Sequence, residues 1–77
     1  MAKVDEKMFR ETVIRALELK DKDYRDDLKI GEVPSWDSLG HLGLVSSLES
    51  AFNVKFDIET ILELNSLQKL KEAIASK

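Results

Sequence analysis

The chain has no cysteine, one proline, three glycines and one histidine in 77 residues. Without cysteine there is no disulfide staple and no thiolate metal site. A core of this size supplies only about 3–5 kcal/mol by itself, so stability has to come from well-packed secondary structure. Zero cysteine also fits a cytoplasmic location. No apolar run reaches the 18 residues that would suggest a transmembrane helix. Residues 1–7 (Met-Ala-Lys-Val-Asp-Glu-Lys) lack the apolar stretch of a signal peptide. The expectation is one soluble, monomeric, cytoplasmic domain over residues 1–77, with no membrane partner.

Charge is plentiful but unevenly placed. Residues 1–30 are balanced, with eight basic and eight acidic side chains. Residues 31–64 set Lys55 alone against Glu32, Asp37, Glu49, Asp57, Glu59 and Glu63, a net charge of −5. Residues 65–77 carry +2. An acidic middle repels nucleic acid, whose affinity for proteins rests largely on Lys and Arg, and attracts basic protein partners.

Periodicity predicts an all-α domain. Met8, Phe9, Thr12, Val13, Ala16 and Leu17 recur at helical steps, predicting a helix from about Asp5 to Leu19. Residues 20–36 are densely charged and end in Gly31, Pro34 and Ser35; Leu28, Ile30, Val33 and Trp36 are available to pin this long loop to a core. Such a loop is either functional or holds a short helical turn, expected near Tyr24–Leu28. A second helix starts at Asp37 or Ser38, with Asp37 as N-cap, and ends near Phe52, where Asn53 suits a left-handed cap. Its expected inner stripe is Leu39, Leu42, Val45, Leu48 and Phe52. A short third helix follows from Asp57 or Ile58 to Leu64, contributing Ile61 and Leu62 to the core. The last starts after Asn65 or Ser66 and faces inward through Leu67, Leu70, Ala73 and Ile74.

Few residues offer chemistry. Ser38 sits at the mouth of the second helix beside Asp37, and His41 lies one turn on. A Ser–His nucleophile would need an orienting acid, and two residues on one helix make a poor triad; His41 is read instead as facing solvent or a partner. Asp21, Asp23, Asp27 and Glu32 have part of a calcium-loop spacing, but Asp26 stands where that loop needs glycine. A solvated charged loop is the expectation, and no metal site.

Asp37-Ser38-Leu39, followed by Leu42, Leu44, Val45, the pair Leu48-Glu49 and Phe52, resembles the signature of the acyl carrier protein family. Phe56-Asp57, Glu59, Ile61, Leu64 and Asn65-Ser66-Leu67 resemble that family's third and fourth helices, so the resemblance spans nearly the whole chain. It implies an acyl-carrier-like bundle of three main helices plus a short third one, with a long loop between the first two. It implies that Ser38 receives 4'-phosphopantetheine from coenzyme A through a separate phosphopantetheinyl transferase, which reads Asp37 and Leu39 as motif neighbours. The arm would carry acyl groups as thioesters among acyl-loading and acyl-processing enzymes of fatty-acid, polyketide or related biosynthesis. The protein would have no catalytic activity of its own. Aminoacyl and D-alanyl carriers use a serine in the same place, and an unmodified helical interaction module is the remaining alternative. Trp36, His41, Leu44, Glu49 and Val54 are the expected docking residues. The helix after Ser38 carries fewer acids than the usual fatty-acid carrier, and Trp36 before the motif looks more like carriers of specialised pathways. Gly43 is read as room for a cavity that could shelter an acyl chain.

Overall fold

The computed structural model describes residues 4–77. Among them four α-helices form: α1 (Glu6–Leu17), α2 (Ser38–Phe52), α3 (Ile58–Glu63) and α4 (Leu67–Ala75), with one 3-10 turn at Asp21–Asp23. None is long and apolar enough to cross a membrane.

Each helix begins where a short polar side chain satisfies a free backbone N–H. Asp5 accepts from Met8 N at 3.1 Å, Asp37 from Gly40 N at 2.7 Å, Asp57 from Thr60 N at 2.8 Å and Ser66 from Lys69 N at 3.2 Å. Two helices end in a left-handed residue: Asn53 (φ 55°) after α2, as expected, and Glu18 (φ 54°) after α1. Glu18 stops α1 two residues short of Leu19, whose N–H turns back to the Ile14 carbonyl at 2.9 Å.

The longest contact runs between α1 and α2. Phe9, Val13 and Leu17 of α1 meet Leu44, Val45 and Leu48 of α2, and Leu67, Leu70 and Ile74 of α4 close the bundle. Phe9 and Phe52 pack ring to ring at 6.5 Å. Lys71 joins α4 to α1, pairing with Glu6 at 2.7 Å and lying 5.2 Å over the Phe9 ring.

The inner stripe of α2 is the expected one only in part: Val45 and Leu48 are buried and Phe52 packs against the core, but the two leucines of the first turns face outward. Leu39 and Leu42 are 79 % and 45 % exposed, and Leu62 on α3 is 68 % exposed. The buried face is His41, Leu44, Val45 and Leu48. Rotation of the helix by this much is possible because α2 is apolar on more than one side, and because His41 finds partners inside. Gly43 is exposed and a side chain there would meet open space, so it marks surface rather than a cavity.

The long loop is anchored as anticipated, with Leu28 and Trp36 buried and Ile30 and Val33 packed beside them. Its helical turn falls at Asp21–Asp23 rather than Tyr24–Leu28. Residues 25–28 make a single turn, closed by Leu28 N on the Arg25 carbonyl at 3.3 Å, and the chain then runs extended against the residues before α4. Lys29 bridges antiparallel to Ser66, Ile30 N donates to the Asn65 carbonyl and Leu67 N to the Leu28 carbonyl, each at 3.0 Å. Four of the loop acids pair with bases: Asp27 and Glu32 with Arg25, Asp21 with Arg10 and Asp26 with Lys71. No cluster of three or more metal-binding side chains forms among the described residues. Tyr24 is half-buried under Arg10, and burial together with the Asp26 carboxylate pushes its hydroxyl up to about 12.

Candidate functional site

Ser38 opens the first turn of α2 and is exposed. What fixes it in place is the segment before it. Gly31, with φ at 91°, turns the chain so that its N–H reaches the Trp36 carbonyl at 2.8 Å; a residue with a Cβ resists that conformation. Trp36 N donates to the Val33 carbonyl at 3.1 Å. Ser35 Oγ donates to the last carbonyl of α1, that of Leu17, at 2.6 Å. The Ser35 carbonyl presses so closely on Gly40 that a side chain at position 40 would collide with it. Glycine in α2 is therefore a packing requirement here, despite its cost of about 1 kcal/mol in helix propensity.

Inside this segment, Trp36 is fully buried and His41 is 3 % exposed. Trp36 Nε1 donates to His41 Nδ1 at 3.0 Å, and the rings lie nearly parallel, 26° apart. His41 Nε2 lies 2.8 Å from the Ile61 carbonyl on α3. An indole has only a donor and a carbonyl only accepts. The ring is therefore the neutral tautomer, accepting at Nδ1 and donating at Nε2. No buried side-chain polar atom among the described residues lacks a partner, which is the condition for carrying an imidazole and an indole N–H in an apolar core.

These contacts correct the expected docking set. Trp36, His41 and Leu44 are interior residues and offer no surface to a partner. His41 has both ring nitrogens committed elsewhere and cannot act as a base for Ser38. Glu49 is half-buried, with its carboxylate accepting from Phe56 N at 2.8 Å, so it holds the turn between α2 and α3. Val54 packs at the edge of the core. Sequence reasoning missed Ile58 and Leu62 as surface residues. The exposed apolar side chains beside Ser38 are Leu39 and Leu42; Ile58 and Leu62 stand out on α3, which the His41 bond brings alongside.

The site suits a covalently attached phosphodiester. The hydroxyl of Ser38 faces water at a helix start, where first-turn N–H groups and the helix dipole favour an anion. Asp37 keeps its charge beside the serine, with one carboxylate oxygen accepting from Gly40 N as the helix cap. Asp37 and Leu39, the two motif neighbours, are both exposed beside the serine.

No curated protein matches the chain. Residues 36–74, just over half of the chain and the stretch from Trp36 through α4, match the family described as the phosphopantetheine attachment site. Taken with the all-helical fold and the hydroxyl displayed at the head of α2, this shows that the chain belongs to the phosphopantetheine-attachment family, whose members are carrier proteins with covalently bound 4'-phosphopantetheine.

Proposed function

We propose that Ser38 is the attachment residue and that the protein carries acyl groups as thioesters among the enzymes of a biosynthetic pathway, in the cytoplasm. The observation that carries this reading is the position of Ser38: exposed, first in α2, inside a family match that begins two residues earlier. In the attachment reaction Ser38 Oγ forms a bond to the phosphorus of coenzyme A nearest the pantetheine. The pyrophosphate bond breaks, adenosine 3',5'-bisphosphate leaves, and the hydroxyl proton passes to a base on the transferase. The attached group supplies a thiol on a long flexible arm, which raises the local concentration of whatever it holds. The chain's own contribution is presentation. Asp37 caps the helix, Gly31 and Gly40 let the preceding segment close up, and no base of the protein needs to touch Ser38.

Docking belongs to the exposed face around Ser38. Leu39 and Leu42 share one face of α2, and Ile58 and Leu62 share one face of α3. Asp37, Asp57, Glu59 and Glu63 supply the surrounding negative charge. Such a surface suits the transferase and acyl-handling enzymes that present an apolar patch with a basic rim.

Intact mass after incubation with coenzyme A and a broad-specificity phosphopantetheinyl transferase tests the reading. Wild type is expected to gain one phosphopantetheine and Ser38→Ala none. A wild type that stays unmodified sinks the carrier assignment; a Ser38→Ala that is still modified moves the site elsewhere.

A further inference from the structure

We propose that His41 is a positioning residue for the attachment reaction: it sets Ser38 by holding Trp36 on one ring nitrogen and α3 on the other. The proposal rests on Ser38 being the attachment residue.

The geometry behind it is local and closed. Trp36 precedes the Asp37 cap by one residue and Ser38 by two, so the orientation of the indole governs how the chain enters α2. The indole has one polar atom, and its acceptor in the fold is His41 Nδ1 at 3.0 Å. His41 is itself bound back to the cap, its backbone N–H donating to the Asp37 carbonyl at 2.8 Å. Trp36, Asp37 and His41 thus form a ring of contacts that crosses the serine without touching it. A Trp side chain that lost this acceptor would have a buried, unpaired N–H. The relief is to turn the indole outward, which drags the cap and Ser38 with it.

The second nitrogen extends the hold to α3. This helix buries none of its six residues, and the bond from His41 Nε2 to the Ile61 carbonyl is a direct polar link from α2 to its last turn. One imidazole therefore sets the hydroxyl to be modified and also the helix bearing half of the exposed apolar surface beside it.

Two substitutions separate the two bonds. Asparagine places its side-chain oxygen near the site of Nδ1 and keeps an acceptor for Trp36. Glutamine places its amide nitrogen near the site of Nε2 and keeps a donor for Ile61. The measurement is steady-state transfer from coenzyme A with the carrier as varied substrate, alongside circular dichroism for folding and amide exchange for α3. His41→Gln is expected to lower kcat about tenfold with KM within about twofold, the size expected when a buried donor loses its acceptor. His41→Asn is expected to hold kcat within about threefold of wild type while amides of residues 58–63 exchange faster.

A purely structural role gives a different pattern. Partial unfolding removes usable carrier, so KM rises and kcat stays. That pattern in His41→Gln, or wild-type kinetics in it, overturns the proposal. If His41→Gln does not fold, Trp36→Phe removes the donor from the other side of the same bond. A smaller fall in kcat, about threefold, is expected there, because the hold on position 36 is lost but no donor is left unpaired; an unchanged kcat overturns the proposal. A wild type that accepts no arm at all is a separate result, which overturns the carrier reading and this transfer role together.

Discussion

Helices α2 and α3 are joined through His41 and are held in opposite ways. Helix α2 buries four of its residues and makes the largest helix–helix contact of the fold, with α1. Helix α3 buries none. Its contacts are the Asp57 cap, the His41 bond to Ile61, the Glu49 carboxylate on Phe56 just before it, and the half-buried Ile61 with Leu64 just beyond its end. The lesson is that a helix of six residues, too short to be stable in water alone, can be placed by polar contacts at its ends. Its apolar side chains are then left free for the surface.

The sharpest way to break the comparison is to truncate one leucine on each helix. Leu44 is fully buried, and Leu44→Ala is expected to cost about 2–5 kcal/mol, a large share of what a domain this small possesses. Leu62 is mostly exposed, and Leu62→Ala is expected to stay within about 0.5 kcal/mol of wild type. Urea unfolding of both variants reads the difference directly. Equal losses would mean that α3 is packed into the core rather than held at its ends.

The next effect in size lies within α2, at its two glycines. An alanine at position 40 would collide with the Ser35 carbonyl, which is backbone and cannot swing aside. Gly40→Ala is expected to destabilise by about 1–3 kcal/mol, the range for forced overpacking, and to slow modification of Ser38 because the segment leading into it must shift. Position 43 has nothing within 4 Å of where a Cβ would sit. Gly43→Ala is expected to stabilise by up to about 1 kcal/mol through helix propensity alone. Thermal melts of the pair should move in opposite directions; a loss at both positions would show that Gly43 serves packing too.

The same pair of helices shows where sequence reading succeeds and where it stops. Helix starts were legible because they depend on neighbours: Asp37 ahead of Ser38, Asp57 ahead of Ile58 and Ser66 ahead of Leu67 each cap an N–H three residues on. The inward face of α4 was legible because Leu67, Leu70, Ala73 and Ile74 make its one apolar stripe. The face of α2 was legible only in part. Val45 and Leu48 belong to the expected stripe and are buried; whether Leu39 and Leu42 or His41 and Leu44 complete the inner face is what periodicity alone cannot rank. The histidine makes the second choice look polar. What reverses the choice is a pair of hydrogen bonds, to Trp36 five residues back and to Ile61 twenty residues ahead. The clue that was present is small: a lone tryptophan five residues before a lone histidine, given that a buried indole usually finds an acceptor. Ser38, the proposed attachment residue, stands out through its motif, but Trp36, His41 and Leu44 beside it were misread as the surface that partners touch.

The smallest effect tests the polar hold on α3 alone. Hydrogen bonds from Thr60, with a further pull from Lys77, lower the pKa of the exposed Asp57 carboxyl below its ordinary value. A carboxyl whose pKa is lower in the folded chain than in the unfolded one contributes stability above the unfolded pKa. That contribution is lost as pH falls through the folded value. Acidification below the usual carboxylate range should therefore loosen α3. Asp57→Asn is the appropriate reference, since asparagine caps nearly as well and does not titrate. Amide exchange in residues 58–63 should accelerate with acid more in wild type than in Asp57→Asn once the intrinsic pH dependence of exchange is divided out, while amides around Leu44 and Leu48 respond alike in both proteins. The same acid response of α3 in both would remove the Asp57 cap from what holds α3, leaving His41 and Glu49 as its polar anchors.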